Sequence, residues 1–339
     1  MKRSQFLTTL AATTLLPLRP WALGTASTGS EWVQPQPLQP GDTLAITAPA
    51  GYATRQEVEA AQRVLESWGF TVRLGNTVGK RFGTFSGTDA ERAADLQQLL
   101  AANEVKAILC ARGGYGAVRI VDKVDFSLLC RRPKWLIGFS DITLLHCHIH
   151  RHCGVATLHA KMSNGFPENW ALADAVQQAT LRSIRDALMG LPSRFELPPH
   201  TYNRTGEASG VLVGGNLRTL ETLAGTRSDI PTKGKILFLE DTGEYLYSID
   251  RMFWNLKRSG KLDELAGLLI GGFNIKRTDD PNDEFGMQLR DIVLEKTEGC
   301  NYPVCFNFPV GHQKSNFALK CGVRHHLSVT ASGVVLKEI

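Results

Sequence analysis

Several things are scarce in this 339-residue chain. It has no apolar run long enough to cross a bilayer stably, so no stable membrane insertion is expected. It has no block of Lys or Arg and no basic stripe interleaved with aromatics, and aromatic residues make up only 8% of it. The net charge is a modest +5, spread along the sequence. Nucleic acid is therefore not an expected partner. Seven cysteines (Cys110, Cys130, Cys147, Cys153, Cys300, Cys305 and Cys321) are too few, and odd in number, for a disulfide framework in a chain of this length. Cys110 lies in an apolar, strand-like run and reads as a buried hydrophobe. One disulfide among the others is compatible with an oxidising compartment, and none of the seven occupies a turn suited to a nucleophile. Internal repeats and low-complexity tracts are missing as well. The composition that remains, 43% hydrophobic and 21% charged, is ordinary for a globular enzyme, and the length suffices for two domains.

The first residues read as an export signal, residues 1–26. Lys2 and Arg3 give a basic start, Phe6 to Leu18 a mildly apolar stretch, and Pro20 to Ala26 a region with small residues suited to cleavage. Lys2-Arg-Ser-Gln-Phe-Leu7 faintly resembles a twin-arginine signal, with one arginine replaced by lysine. A periplasmic location follows as the expectation. Residues 27–40, rich in Ser, Gln and Pro, read as a linker.

Beyond it, strands and helices alternate. Strand-like runs at 42–50, 71–74, 105–111 and 135–137 are separated by helical patterns at 55–68 and 88–100. Thr88 with Glu91 three residues on has the capping-box pattern. This order predicts an open, largely parallel α/β sheet in an N-terminal domain, residues 41–165, with sites at the carboxyl ends of strands. Residues 166–205, helical and then rich in Pro, read as an interdomain connection. The rest, 206–339, changes texture. Short apolar strands at 210–213, 235–239, 267–271 and 333–337, with helical patterns at 215–224, 248–259 and 283–296, predict an α+β domain around a mainly β core.

The stretch Lys134-Trp-Leu-Ile-Gly-Phe-Ser-Asp-Ile-Thr-Leu-Leu145 is the most informative. It reads as a buried strand, a tight turn at Gly138 with Ser140 at its apex, and a helix beginning near Asp141. A serine on such a turn exposes its hydroxyl beside helix N-terminal amides that can hold an oxyanion. The plainer reading makes Ser140-Asp141 a helix cap. A serine nucleophile needs a base, and the base an acidic orienter. Among nine histidines, His312 sits in a Gly-flanked loop, Phe308-Pro-Val-Gly-His-Gln313, and Glu240 ends the strand Lys235–Leu239. Ser140, His312 and Glu240 are one choice among several on residue chemistry alone. The loop Arg112-Gly-Gly-Tyr-Gly116 lets backbone amides approach a ligand, and Gly114 with Asp141 could complete an oxyanion hole. This loop matches neither the dinucleotide fingerprint nor the Walker A pattern.

These pieces have a familiar order. Thr47-Ala-Pro-Ala50, Arg112–Gly116, Leu136–Asp141, Gly214-Gly-Asn-Leu217, Leu239-Glu-Asp241 and Pro309-Val-Gly-His312 resemble the LD-carboxypeptidase family of serine peptidases, which includes the microcin C immunity hydrolases. The resemblance spans nearly all of residues 41–339. It implies a flavodoxin-like N-terminal domain, a mainly β C-terminal domain, a homodimer, and no metal or other cofactor. It implies a triad of Ser140, His312 and Glu240, with Gly114 and Asp141 as oxyanion-hole amides. The implied reaction hydrolyses the L,D amide that releases terminal D-alanine from a peptidoglycan tetrapeptide, a small muropeptide being the partner. Three rival readings stand beside it. One is hydrolysis of a peptidyl-nucleotide antibiotic, which an aromatic side chain placed to stack on a base would favour. Another is a non-catalytic periplasmic binding protein, and the third a metal site on the helix carrying His146, His148, His150 and His152.

Overall fold

The computed structural model describes residues 32–278, 280, 282 and 284–339. The expected export signal lies outside these residues, as do residues 27–31 of the expected linker. The rest of that linker runs extended and packs down. Leu38 is fully buried, its amide donates to Leu188 O (2.8 Å), and Trp32 packs on His150 at 4.6 Å between ring centroids.

The first sheet forms where the alternation predicted it. Its strands are β1 (Thr43–Thr47), β2 (Thr71–Leu74), β3 (Val105–Cys110), β4 (Trp135–Gly138) and β5 (Thr157–His159), paired in parallel in the order β2-β1-β3-β4-β5. That is the flavodoxin-like order. Successive strand residues face opposite layers, as a two-residue period requires. Leu44, Ile46, Leu109, Trp135 and Ile137 pack under α1 (Arg55–Ser67) and α5 (Ala175–Leu188). Ala45, Ile108, Cys110 and Leu136 pack under α2 (Asp89–Ala101), α3 (Ser127–Arg131) and α4 (Thr143–Cys153). Helix starts follow local chemistry: Thr54 with Glu57 and Thr88 with Glu91 both form capping boxes.

The second sheet has seven strands in the order β10-β9-β8-β7-β12-β13-β6. They are β6 (Arg194–Leu197), β7 (Gly206–Asn216), β8 (Ile236–Thr242), β9 (Gly267–Asn274), β10 (Val304–Cys305), β12 (Arg324–Val329) and β13 (Val334–Glu338). Strands β7 to β10 pair in parallel, while β6, β12 and β13 pair antiparallel. Helices α6 (Leu217–Thr222), α7 (Leu246–Arg258) and α8 (Leu289–Lys296) cover one face. The apolar layer beneath them is continuous with α4 and the first sheet, so the two sheets share a core through α4. The other face buries Leu212, Phe238, Leu269, Phe308 and Leu327. The remaining strand, β11 (Leu319–Cys321), crosses over and pairs antiparallel with β5, closing that edge of the first sheet. Among the described residues no helix is long and apolar enough to cross a membrane.

Candidate active site

Strand β4 delivers Ser140 to the carboxyl edge of the first sheet. The chain turns there with Ser140 at φ 62°, one of two non-glycine residues among those described with positive φ. This left-handed conformation costs an L-residue about 1 kcal/mol or more and is held by its surroundings. Gly113 makes the turn possible from the other side. A Cβ there would sit 3.0 Å from the Ser140 Cβ and 3.2 Å from Phe139 O. The backbone of the Arg112–Gly116 loop therefore lies directly against the serine.

The same loop is tied to the elbow by charge. Asp141 does not cap its own helix, as the plainer sequence reading supposed. Its Oδ2 accepts the Ala117 N–H instead (2.8 Å). Burial pushes the Asp141 carboxyl up to about 6, against the pull of the Ala117 amide. Arg92, fully buried on α2, donates to Pro49 O (2.5 Å), Gly116 O (2.9 Å) and Asp89 Oδ1 (2.6 Å). Sequence reasoning missed Arg92. Its signal was an arginine on the apolar stripe of α2, in helical register with Leu96 and Leu99, which join the core cluster.

The second sheet supplies the other half. In β8 the register with β9 shifts between Leu239 and Asp241, so Glu240 sits at an irregularity opposite Gly271 and Gly272. Such bulges re-aim side chains. Glu240 is fully buried, and its Oε2 lies 2.6 Å from His312 Nδ1 and accepts the His312 backbone N–H at 3.2 Å. A carboxylate has no proton to give, so the Nδ1–H donates and leaves Nε2 as the basic nitrogen. Gly311 is required for this pairing: with φ 97°, a Cβ there would fall 2.3 Å from the Glu240 Cβ.

The halves meet at Phe139, whose ring packs on His312 at 4.9 Å between centroids. His312 thus lies against the residue that precedes Ser140. Lys161 bridges the same junction, donating to Gln313 O (2.9 Å). A second seam joins β7 to α4, where the Asn216 N–H donates to Thr143 Oγ1 (3.1 Å). Beside it, Asn216 Nδ2 donates to Asp241 Oδ1 (2.9 Å), and Asp241 Oδ2 accepts the Arg218 N–H (2.9 Å). Burial pushes the Asp241 carboxyl up to about 6.

A cleft of about 800 Å³ opens along the serine turn and this second seam, lined by Ser140, Asp141, Gly114, Asn216 and Asp241 among others. Its aromatic wall is Tyr115, about half exposed. The His-rich helix divides its side chains among separate partners. His146 Nε2 meets Gly138 O (3.0 Å), His150 Nε2 meets Thr157 Oγ1 (2.9 Å), His148 Nδ1 meets Ser228 Oγ (2.9 Å), and His152 Nε2 meets Arg227 O (3.0 Å). These imidazoles pin α4 to its surroundings through four separate partners, with His148 and His152 packed on each other at 4.3 Å between ring centroids. Among the described residues no group of three His, Cys, Asp or Glu side chains is arranged to hold a metal.

The comparisons with known proteins agree with this architecture. The LD-carboxypeptidase N-terminal domain matches residues 44–160, and the LD-carboxypeptidase C-terminal domain matches residues 209–327. The probable murein peptide carboxypeptidase of Bacillus subtilis is 35% identical over 310 residues, covering 90% of this chain and 94% of that protein. The murein tetrapeptide carboxypeptidase of Pseudomonas aeruginosa is 34% identical over 294 residues, covering 85% and 94%. The crystal structure of muramoyltetrapeptide carboxypeptidase from Oxalobacter formigenes superposes with a TM-score of 0.78 at 29% identity, covering 87% of this chain and 98% of that one. With both domains matched in order, the chain belongs to the LD-carboxypeptidase family and is a serine-type LD-carboxypeptidase.

Proposed function

We propose that this enzyme hydrolyses the L,D amide that releases terminal D-alanine from peptidoglycan tetrapeptides, with Ser140 as nucleophile, His312 as base and Glu240 as its orienter. The observation that carries the reading is the meeting of a strained serine turn with a buried Glu240–His312 pair across Phe139. The names of the relatives support the substrate class.

In this reading Ser140 Oγ attacks the scissile carbonyl as His312 Nε2 takes its proton. The imidazolium that forms is stabilised by Glu240, which stays ionised. The negative charge on the tetrahedral carbon's oxygen is held by the Gly114 and Asp141 amides, whose loop and turn are locked together by the Asp141–Ala117 bond. His312 then protonates the departing D-alanine nitrogen. Water, activated by the same histidine, hydrolyses the Ser140 ester.

The site of action is the cell wall outside the cytoplasm, after export directed by residues 1–26, and the working form is a homodimer. A disulfide between Cys130 and Cys153 supports the location, since such bonds persist in oxidising compartments. Cys147, the other thiol on α4, is buried and free.

The test incubates residues 27–339 with disaccharide-tetrapeptide and follows D-alanine by mass spectrometry, with Ser140→Ala alongside. Release by the wild type and a loss of about 10,000-fold or more in the variant is the expected result. No release by folded wild-type protein rejects the murein substrate and directs the same assay to peptidyl-nucleotides.

A further inference from the structure

An enzyme that removes only a terminal residue must distinguish a free carboxylate from a continuing chain. A peptide amide at that position is nearly isosteric but uncharged, so the distinction calls for a cation. The cleft offers Arg218 for this task. It lies in the same cleft as Ser140 and Gly114. Its residue follows Asn216 by two positions, and Asn216 is bonded through its N–H to Thr143, three residues beyond Ser140.

The backbone under Arg218 is fixed by hydrogen bonds, while its guanidinium is held only by longer ion pairs. Its N–H is held by Asp241, which is itself held by Asn216 and by the Thr242 N–H (2.7 Å). The side chain is half exposed and stands 3.9 Å from Glu221 and 3.8 Å from Glu244. Both separations exceed hydrogen-bond length, so its donors remain available for a bidentate partner. Other cations near the site are placed differently. Lys161 does not line the cleft and donates instead to Gln313 O. Arg112 faces Glu57 at 3.7 Å and the Tyr52 carbonyl at 3.4 Å. Arg227 shares the cleft but is three-quarters exposed, beside Asp122.

We infer that Arg218 is the specificity-determining residue that receives the free C-terminal carboxylate of the substrate, with Glu221 and Glu244 keeping its side chain over the cleft. The inference rests on the carboxypeptidase reading above and adds the group that enforces it.

The experiment compares a tetrapeptide ending in D-alanine with the same peptide ending in D-alaninamide. The wild type should prefer the acid by about 10- to 100-fold in kcat/KM, the range expected for one charge-assisted pair. In Arg218→Met that ratio should fall to near one, chiefly through KM for the acid, and Arg218→Lys should restore part of it. A ratio near one in the wild type overturns the inference, as does a preference that survives in a folded Arg218→Met. Wild-type protein that cleaves neither peptide instead overturns the carboxypeptidase reading, and the inference falls with it. Binding of the two peptides to Ser140→Ala by calorimetry gives the same comparison without turnover.

Discussion

The two halves of the site are built by different physical means. The serine half is built on one strand-to-helix turn braced by the Arg112–Gly116 loop, and its geometry is stored in the backbone: a serine at φ 62°, pressed against a glycine, Gly113, that has no room for a side chain. The histidine half joins residues 72 apart in sequence, Glu240 and His312, and its geometry comes from burial and from two contacts of one carboxylate oxygen, 2.6 Å to Nδ1 and 3.2 Å to the backbone N–H. A local device can be strained because flanking strand and helix hold it. The buried Glu240 depends instead on its partner, because an unpaired charge at full burial is costly. The serine turn is therefore a strained backbone held by packing, and the pair is held by charge and hydrogen bonding.

Disturbing each half in turn tests this contrast. Glu240→Gln keeps the size of the side chain but removes the charge that favours the Nδ1–H tautomer and the imidazolium. A fall in kcat of roughly 1,000- to 10,000-fold is expected, with thermal stability little altered. A loss under tenfold would mean that Glu240 only packs. The Cys130–Cys153 bond encloses β4, the serine turn and α4 within one loop, so it belongs to the local half. Replacing both cysteines by Ala should lower unfolding stability by about 3 kcal/mol in chemical denaturation. Turnover of the folded fraction should stay close to that of the parent.

Gly311→Ala attacks the histidine half through packing alone. The new Cβ would lie 2.3 Å from that of Glu240, and the backbone conformation is strained for alanine. A drop in kcat of about 10- to 100-fold is expected, and normal turnover would show that the Glu240–His312 pair tolerates displacement. A stability change smaller than that of the disulfide removal should come from Ser140→Gly, which removes the hydroxyl and relieves the torsion. The melting temperature should rise, reflecting about 1 kcal/mol. An unchanged or lower value would show that the turn stores no strain.

The same contrast governs what could be read in advance. The first sheet was legible because its strands and helices alternate over short distances and its helix starts carry their own caps, Thr54–Glu57 and Thr88–Glu91. Ser140 was legible because the apolar run, Gly138 and the following helix all lie within a dozen residues. His312 and Glu240 were each marked by a loop or strand end, but their pairing came only from the family resemblance, since no local period links them. Arg92 and Lys161 went unread, and Asp241 was read only as part of the Leu239–Asp241 motif. Their partners are carbonyls and amides from distant segments, such as Gly116 O, the Arg218 N–H and Gln313 O, which side-chain patterning does not identify. The β11 crossover was invisible for a related reason: three residues are too short to announce which sheet they join.

That crossover also ties the two halves of the site together. The edge of β5 is closed by residues 319–321, and His312 precedes them by only a few residues. One stretch of polypeptide thus covers the bare edge of the sheet that bears the serine and carries the imidazole to Phe139. A change that lifts this stretch away would strip both at once, leaving the serine turn intact beside an open strand edge.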